Sequence, residues 1–76
     1  MRMAILKVTC VPKEQEGGNK RTVRTFRFQA GLTDDATAGG IVRNGTVRAM
    51  AALGDEAPYY TIQKVTEEKN RVDLQN

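Results

Sequence analysis

One segment of this chain carries a helix start signal, a helical period and a stop signal: residues 33–54, TDDATAGGIVRNGTVRAMAALG. Its apolar or small residues recur at three- and four-residue spacings, which place them on one helix face: Ala38, Ile41, Val42, Gly45, Ala49, Ala52 and Leu53. Thr33, Asp34 and Asp35 are candidate N-caps, because their side-chain oxygens can accept from the free N–H groups of a first turn. Gly54 suits the position just after a helix. We therefore predict a single helix here, with strands or turns elsewhere.

Three glycines, Gly39, Gly40 and Gly45, lie inside this predicted helix, where each costs about 0.5–1 kcal/mol relative to alanine. Gly45 falls on the apolar face, so we interpret it as a close-packing position that lets the helix settle over a phenylalanine ring. Gly39 and Gly40 predict either an irregular first turn, with regular helix from near Ile41, or a phosphate cradle. The carboxylates just upstream and the spacing of the glycines argue against the cradle.

Four segments show the residue types and the alternation of strands: residues 3–11, 21–30, 59–67 and a short one at 71–74. The first has apolar side chains on both faces, which favours a central place in a sheet or a second covered face. Residues 13–20, KEQEGGNK, contain no apolar side chain and are predicted to form a solvated hairpin loop. The order β-β-α-β-(β) predicts one small two-layer α+β domain over residues 1–76, with an antiparallel sheet and the helix across one face. A small open barrel curled around the helix is the alternative.

The alternation in the second strand assigns its side chains to two faces. Phe26 and Phe28 are the largest apolar groups of the chain, so their face should meet the helix. Arg21 and Arg27 then fall together on the far face of the sheet. This pair of arginines is the one feature of the strand that predicts a site.

Chain length limits how much apolar surface this protein can bury. With 76 residues, 39% of them hydrophobic, no Trp, two Phe and two Tyr, about 60–65% of the unfolded chain's surface can be buried on folding. A dimer would bury more, and the edges of a small sheet invite pairing. We therefore predict a homodimer.

The residue types that most catalysis and metal binding use are scarce in this chain. It has no His and no Ser, and its one Cys, Cys10, lies in the apolar run AILKVTCV, where we expect a buried thiol. Asp34 and Asp35 could hold a metal, but helix capping is the simpler interpretation of these carboxylates. We predict a non-enzymatic protein without catalytic residues, metal site or cofactor. No signal peptide and no segment of about 20 apolar residues is visible, so we expect a cytoplasmic location and no membrane association.

Protein interaction is the first function class that these patterns favour. Alternation puts five apolar side chains on the far face of the sheet, more than a small monomer usually exposes: Ile5, Val11, Val23, Tyr59 and Val65. Such a surface could pair two sheets face to face, and an edge strand could add to a partner's sheet. We predict a small, self-associating interaction module, of the kind found in bacterial, phage or mobile-element accessory genes, whose partner is a second copy or another protein.

Nucleic-acid binding is the second class. Twelve Lys and Arg against nine Asp and Glu give a net charge of +3, and the pI of about 9.4 meets a loose criterion for a nucleic-acid binder. Six basic residues form the candidate phosphate-binding set: Lys20, Arg21, Arg24, Arg27, Arg43 and Arg48. Because Phe26 and Phe28 are assigned to the core, chiefly Tyr59 is left to stack on bases. If the arginines instead pair with carboxylates across the sheet, the strand is only a solvated face.

Overall fold

The computed structural model describes residues 1–18 and 20–68 of the chain. Its elements are strand β1 (Arg2–Pro12), strand β2 (Arg24–Leu32), helix α1 (Ala38–Leu53), a 3₁₀ helix (Gly54–Tyr59) and strand β3 (Tyr60–Glu68). The predicted α+β fold, an antiparallel sheet with one α-helix across a face, is confirmed. β2 begins at Arg24 rather than at residue 21, which leaves Arg21 outside the sheet. The strand predicted at residues 71–74 lies outside the described residues.

β1 is the central strand of the three-stranded sheet, whose order is β2-β1-β3. It pairs antiparallel with both neighbours, so that Leu6 lies opposite Phe28 of β2 and Glu67 of β3. Four alternate residues of β1 are buried on the helix side: Ala4, Leu6, Val8 and Cys10. The residues between them lie on the opposite face, where the flanking strands leave them half-buried. The central position predicted from the two apolar faces of this strand is therefore confirmed.

A β-bulge interrupts the pairing of β1 with β3. Cys10 lies opposite Ile62, whereas the next residue back, Thr9, lies opposite Lys64, so that Gln63 has no partner of its own in the ladder. One extra residue reverses the faces of everything that follows it in a strand. Val65 consequently lies on the helix side, opposite Val8. The prediction that Val65 shares the far face was wrong, because strict alternation cannot allow for a bulge.

Helix α1 begins later than its first cap candidates. Thr37 is the N-cap, and its Oγ1 accepts from the backbone N–H of Gly40 at 3.1 Å. Thr33 instead accepts a backbone bond from Ala36 at 3.1 Å, in a turn that precedes the helix, so the capping roles predicted for Thr33, Asp34 and Asp35 were wrong. At the other end Gly54, with φ of 59°, donates its N–H to the carbonyl of Met50, as expected of a glycine that ends a helix.

The helix packs on the sheet through one line of residues along its length. Gly45, Ala49 and Leu53 are its buried positions, four residues apart. A Cβ added at Gly45 would lie 2.6 Å from Cγ1 of Val65 and 3.1 Å from Cγ2 of Val8. Close packing at Gly45 is confirmed, but it is made against two valines of β1 and β3 and not against a phenylalanine ring. The line of contact therefore runs over the β1–β3 side of the sheet.

The thiol of Cys10 lies in the larger of two adjoining core clusters. This cluster contains Val8, Cys10, Ala49, Leu53 and Tyr60, and the smaller one contains Ala4, Leu6, Ala30 and Leu32. Burial raises the pKa of Cys10 above its usual value, which keeps the thiol protonated at neutral pH. The predicted buried cysteine is confirmed.

Candidate nucleic-acid interface

Four of the six predicted phosphate-binding residues lie on helix α1 and on strand β2, which forms one edge of the sheet within the described residues. Arg24 and Arg27 belong to β2 itself, and Arg43 and Arg48 belong to the helix beside it. We call these four residues the β2-edge arginines. The other two, Lys20 and Arg21, precede the strand.

Arg48 connects the helix to the edge strand. Its Nη1 donates to the backbone carbonyl oxygen of Gln29 at 3.4 Å, and its Nε donates to Oδ1 of Asn44 at 2.6 Å. A charged side chain is thereby held against the backbone of an edge strand, a place where proteins often put charge to prevent pairing with other chains. Arg43 and Arg48 line one shallow depression on the outer surface of α1. Arg48 therefore lies on the β2 side of the molecule, and Arg43 shares with it a depression on the outer surface of the helix.

Arg24 and Arg27 approach the edge from opposite faces of the sheet. The guanidinium carbon of Arg24 lies 5.0 Å from the centre of the Phe26 ring, on the helix side. Arg27 lies opposite Lys7 on the face that no described element covers. The two arginines are three positions apart, which is about 10 Å along a strand. The edge of β2 is therefore flanked by cations above and below.

The uncovered face of the sheet carries more basic than acidic side chains. Lys7, Arg27 and Lys64 lie on it, with threonines at the neighbouring register positions. Glu68 is on the same face, and its Oε1 accepts from Nε of Arg27 at 3.2 Å. Among the described residues, Arg24, Arg43 and Arg48 form no ion pair with a carboxylate. Of the β2-edge arginines, the described carboxylates thus neutralise Arg27 alone.

The five residues predicted as an apolar interaction surface do not lie on one surface. Val65 is on the helix side, and Val23 precedes β2 with 56% of its surface exposed. Tyr59 ends the 3₁₀ helix, outside the sheet. Ile5 and Val11 remain on the uncovered face, half-buried, with Lys7 and Thr9 between them. The far face is therefore mixed and basic. The bulge moves Val65 off it, the late start of β2 leaves out Val23, and the 3₁₀ helix holds Tyr59 outside the sheet.

Arg21 holds the hairpin loop to the 3₁₀ helix and is not beside Arg27 as predicted. Its Nε lies 2.6 Å from Oε1 of Glu56, and its guanidinium lies 3.8 Å from the centre of the Tyr59 ring. The hydrogen bond from Arg21 holds the pKa of Glu56 below its ordinary value. Next to this pair, the hydroxyl of Tyr60 donates to the carbonyl of Thr22 at 2.9 Å. Arg21 is thus committed to a structural contact, and Tyr59 is already stacked on a guanidinium.

Phe26 and Phe28 form an aromatic pair that the sequence assigned wholly to the core. Their ring centres lie 5.8 Å apart and their planes meet at 21°. Both rings face the helix, as predicted, but both are only half-buried. Helix α1 contacts β1 and β3 more extensively than β2, so the outer strand is incompletely covered. The advance signal was that the sequence predicts one helix only, since a single helix about 10 Å wide cannot cover three strands about 4.8 Å apart together with their side chains.

The described part of the chain contains no cluster of three or more side chains suited to binding a metal. No helix within these residues is long and apolar enough to cross a membrane. Comparison with models of protein families, with curated proteins and with solved structures finds no match to this chain.

Proposed function

We propose that this chain is a small non-enzymatic binding module that holds the phosphate backbone of a nucleic acid along the edge of β2. The observation that carries the proposal is the contact of Arg48 with the carbonyl of Gln29. This contact brings Arg48 of the helix to the strand that carries Arg24 and Arg27. Cations from two elements are thereby gathered along one edge, where a linear polyanion can meet them in succession.

The placement of the carboxylates supports the same proposal. Glu56 pairs with Arg21, Glu67 pairs with Arg2, and Asp34 lies 3.6 Å from the amino group of Met1. Within the described residues, these acidic groups form ion pairs with cations other than the β2-edge arginines. Three of the β2-edge arginines, Arg24, Arg43 and Arg48, thus form no ion pair with a described carboxylate and are free to meet phosphates.

The proposal predicts binding with a modest and measurable salt dependence. Three or four phosphate contacts correspond to a slope of log affinity against log salt of about −2 to −3 for a single strand. The measurement is fluorescence anisotropy of a labelled mixed-sequence oligonucleotide, titrated with the protein at several salt concentrations. We expect the double variant Arg24→Gln/Arg43→Gln to weaken binding about tenfold and to make the slope shallower by about 1 to 2.

The matched control is the double variant Arg2→Gln/Arg21→Gln, which removes the same charge from two arginines that pair with carboxylates elsewhere. It should retain most of the wild-type affinity. Circular dichroism of the wild-type protein and both variants is the check that all three are folded. Equal losses in the two variants would mean that net charge alone drives binding, and an oligonucleotide that does not bind at about 50 mM salt would contradict the proposal.

Self-association is a second candidate function, favoured by the outer surface of α1. Val47 and Met50, one turn apart, are 63% and 38% exposed. A dimer through the uncovered sheet face would bring Lys7, Arg27 and Lys64 against the same cations of the second copy, whereas the helix surface is largely apolar. We expect light scattering to show a mass that rises toward a dimer with concentration. Val47→Asp should abolish this rise in mass, whereas the control Gln63→Asp should not. A monomer mass of the wild-type protein at every concentration would contradict self-association.

A further inference from the structure

We infer that the nucleic acid bound at the β2 edge is single-stranded and that its bases stack on the rings of Phe26 and Phe28. This inference rests on the proposed function and adds the class of ligand to it. It is carried by the position of the aromatic pair, which lies on the same strand as Arg24 and Arg27 and is only half-buried.

The incomplete burial of the two rings follows from how the helix is seated. Gly45 brings α1 close to Val8 and Val65, in the central strand and the opposite edge strand. β2 consequently lies at the edge of the area that the helix covers. The rings of Phe26 and Phe28 therefore pack against the core on one side only. Among the buried core residues of the described chain, Tyr60 is the one aromatic. Two large apolar rings thus retain accessible surface where burial would have stabilised the fold most.

Cations lie beside the rings at both ends of the pair. The guanidinium of Arg24 is 5.0 Å from the centre of the Phe26 ring, and Arg48 binds the carbonyl of Gln29, the residue after Phe28. A single strand presents two groups that this arrangement suits: phosphates for the arginines and unpaired base faces for the rings. In a duplex the base faces are stacked on one another, so a duplex would leave the aromatic pair unused. The combination therefore favours an unpaired strand.

The test compares three probes of about 12 nucleotides by anisotropy at about 50 mM salt. They are oligo-dT, an abasic phosphodiester strand of the same length and charge, and a duplex of the same length. We expect the wild-type chain to bind oligo-dT about tenfold more tightly than the abasic strand, and more tightly than the duplex. This comparison uses the unaltered protein, so it does not depend on whether a variant folds.

A variant pair then assigns the stacking to particular rings. Phe26→Leu keeps an apolar side chain but removes the ring, and it should reduce the affinity for oligo-dT to about that for the abasic strand. Tyr59→Leu is the matched control, because Tyr59 ends the 3₁₀ helix, outside the sheet, and does not belong to the aromatic pair on β2. It should leave the affinity unchanged. Loss of affinity in Tyr59→Leu but not in Phe26→Leu would overturn the assignment.

The outcomes separate this inference from the function on which it rests. Equal affinity for oligo-dT and the abasic strand, or tighter binding of the duplex, would overturn stacking, while arginine-dependent binding would still support the proposed function. Failure of all three probes to bind would overturn both.

Discussion

Replacing Gly45 with alanine is expected to lower the free energy of unfolding by about 1–3 kcal/mol. In an ordinary helix position the same change would stabilise by about 0.5–1 kcal/mol, because glycine is the poorer helix former. Here the added methyl would lie 2.6 Å from Cγ1 of Val65 and 3.1 Å from Cγ2 of Val8. Both valines are held in paired strands, so the helix must move away from the sheet to relieve the contact. Urea denaturation followed by circular dichroism measures the loss.

Gly39→Ala is the matched control for this change. Gly39 is in the same helix, and a Cβ added there would have no other atom within 4 Å. It should therefore raise the stability by about 0.5–1 kcal/mol. Adding Val65→Ala to Gly45→Ala should return part of the lost stability, since it removes the nearest methyl groups. Equal effects of Gly45→Ala and Gly39→Ala would show that the helix does not pack through Gly45.

Leu6→Ala is expected to have the largest effect of any single truncation, a loss of about 2–5 kcal/mol. Leu6 is fully buried, in the central strand, and it belongs to the smaller of the two core clusters. A domain of this size has only about 5–10 kcal/mol of net stability, so the variant should be close to unfolding at room temperature. A thermal melt followed by circular dichroism measures how far the transition shifts.

Ile5→Ala provides the control, because it truncates a similar side chain at the adjacent position of the same strand. Ile5 lies on the uncovered face and is half-buried, so we expect a loss of about 1 kcal/mol or less. The difference between the stability losses of Leu6→Ala and Ile5→Ala measures how unequally the two faces of β1 are buried. Similar losses would mean that the second face is also covered, as in the dimer predicted from the sequence.

The elements of the fold could be predicted because each depends on neighbours in sequence. The helical spacing of Gly45, Ala49 and Leu53 identified the packed face of α1, and alternation identified the buried side of β1. Ala38, Val42 and Ala52, assigned to the same helix face, are exposed. The same local patterns placed Phe26 and Phe28 toward the helix. These assignments hold because a helix period and a strand period are properties of consecutive residues.

The errors concern residues whose positions depend on irregularities. Gln63 looks like an ordinary strand residue, yet as the bulge it moves Val65 to the helix side. Thr33, Asp34 and Asp35 are plausible N-caps, but they lie in a turn before the helix, and Thr37 is the N-cap. Several oxygen-bearing residues in a row satisfy the sequence criterion equally, and only the path of the backbone selects among them.

For the candidate site, the sequence by itself determined which side chains are available. They are six candidate basic residues among the twelve Lys and Arg, and two phenylalanines, in a chain without histidine or serine. Only the tertiary structure decided which of these side chains meet. Arg21 is drawn to Glu56, 35 positions away, and Arg48 reaches the backbone of Gln29, 19 positions away. Because α1 packs over the β1–β3 side of the sheet, Phe26 and Phe28 are only half-buried. Contacts of this kind depend on how the helix fits across the sheet, which is a property of side chains distant in sequence and is not encoded in the period of either element.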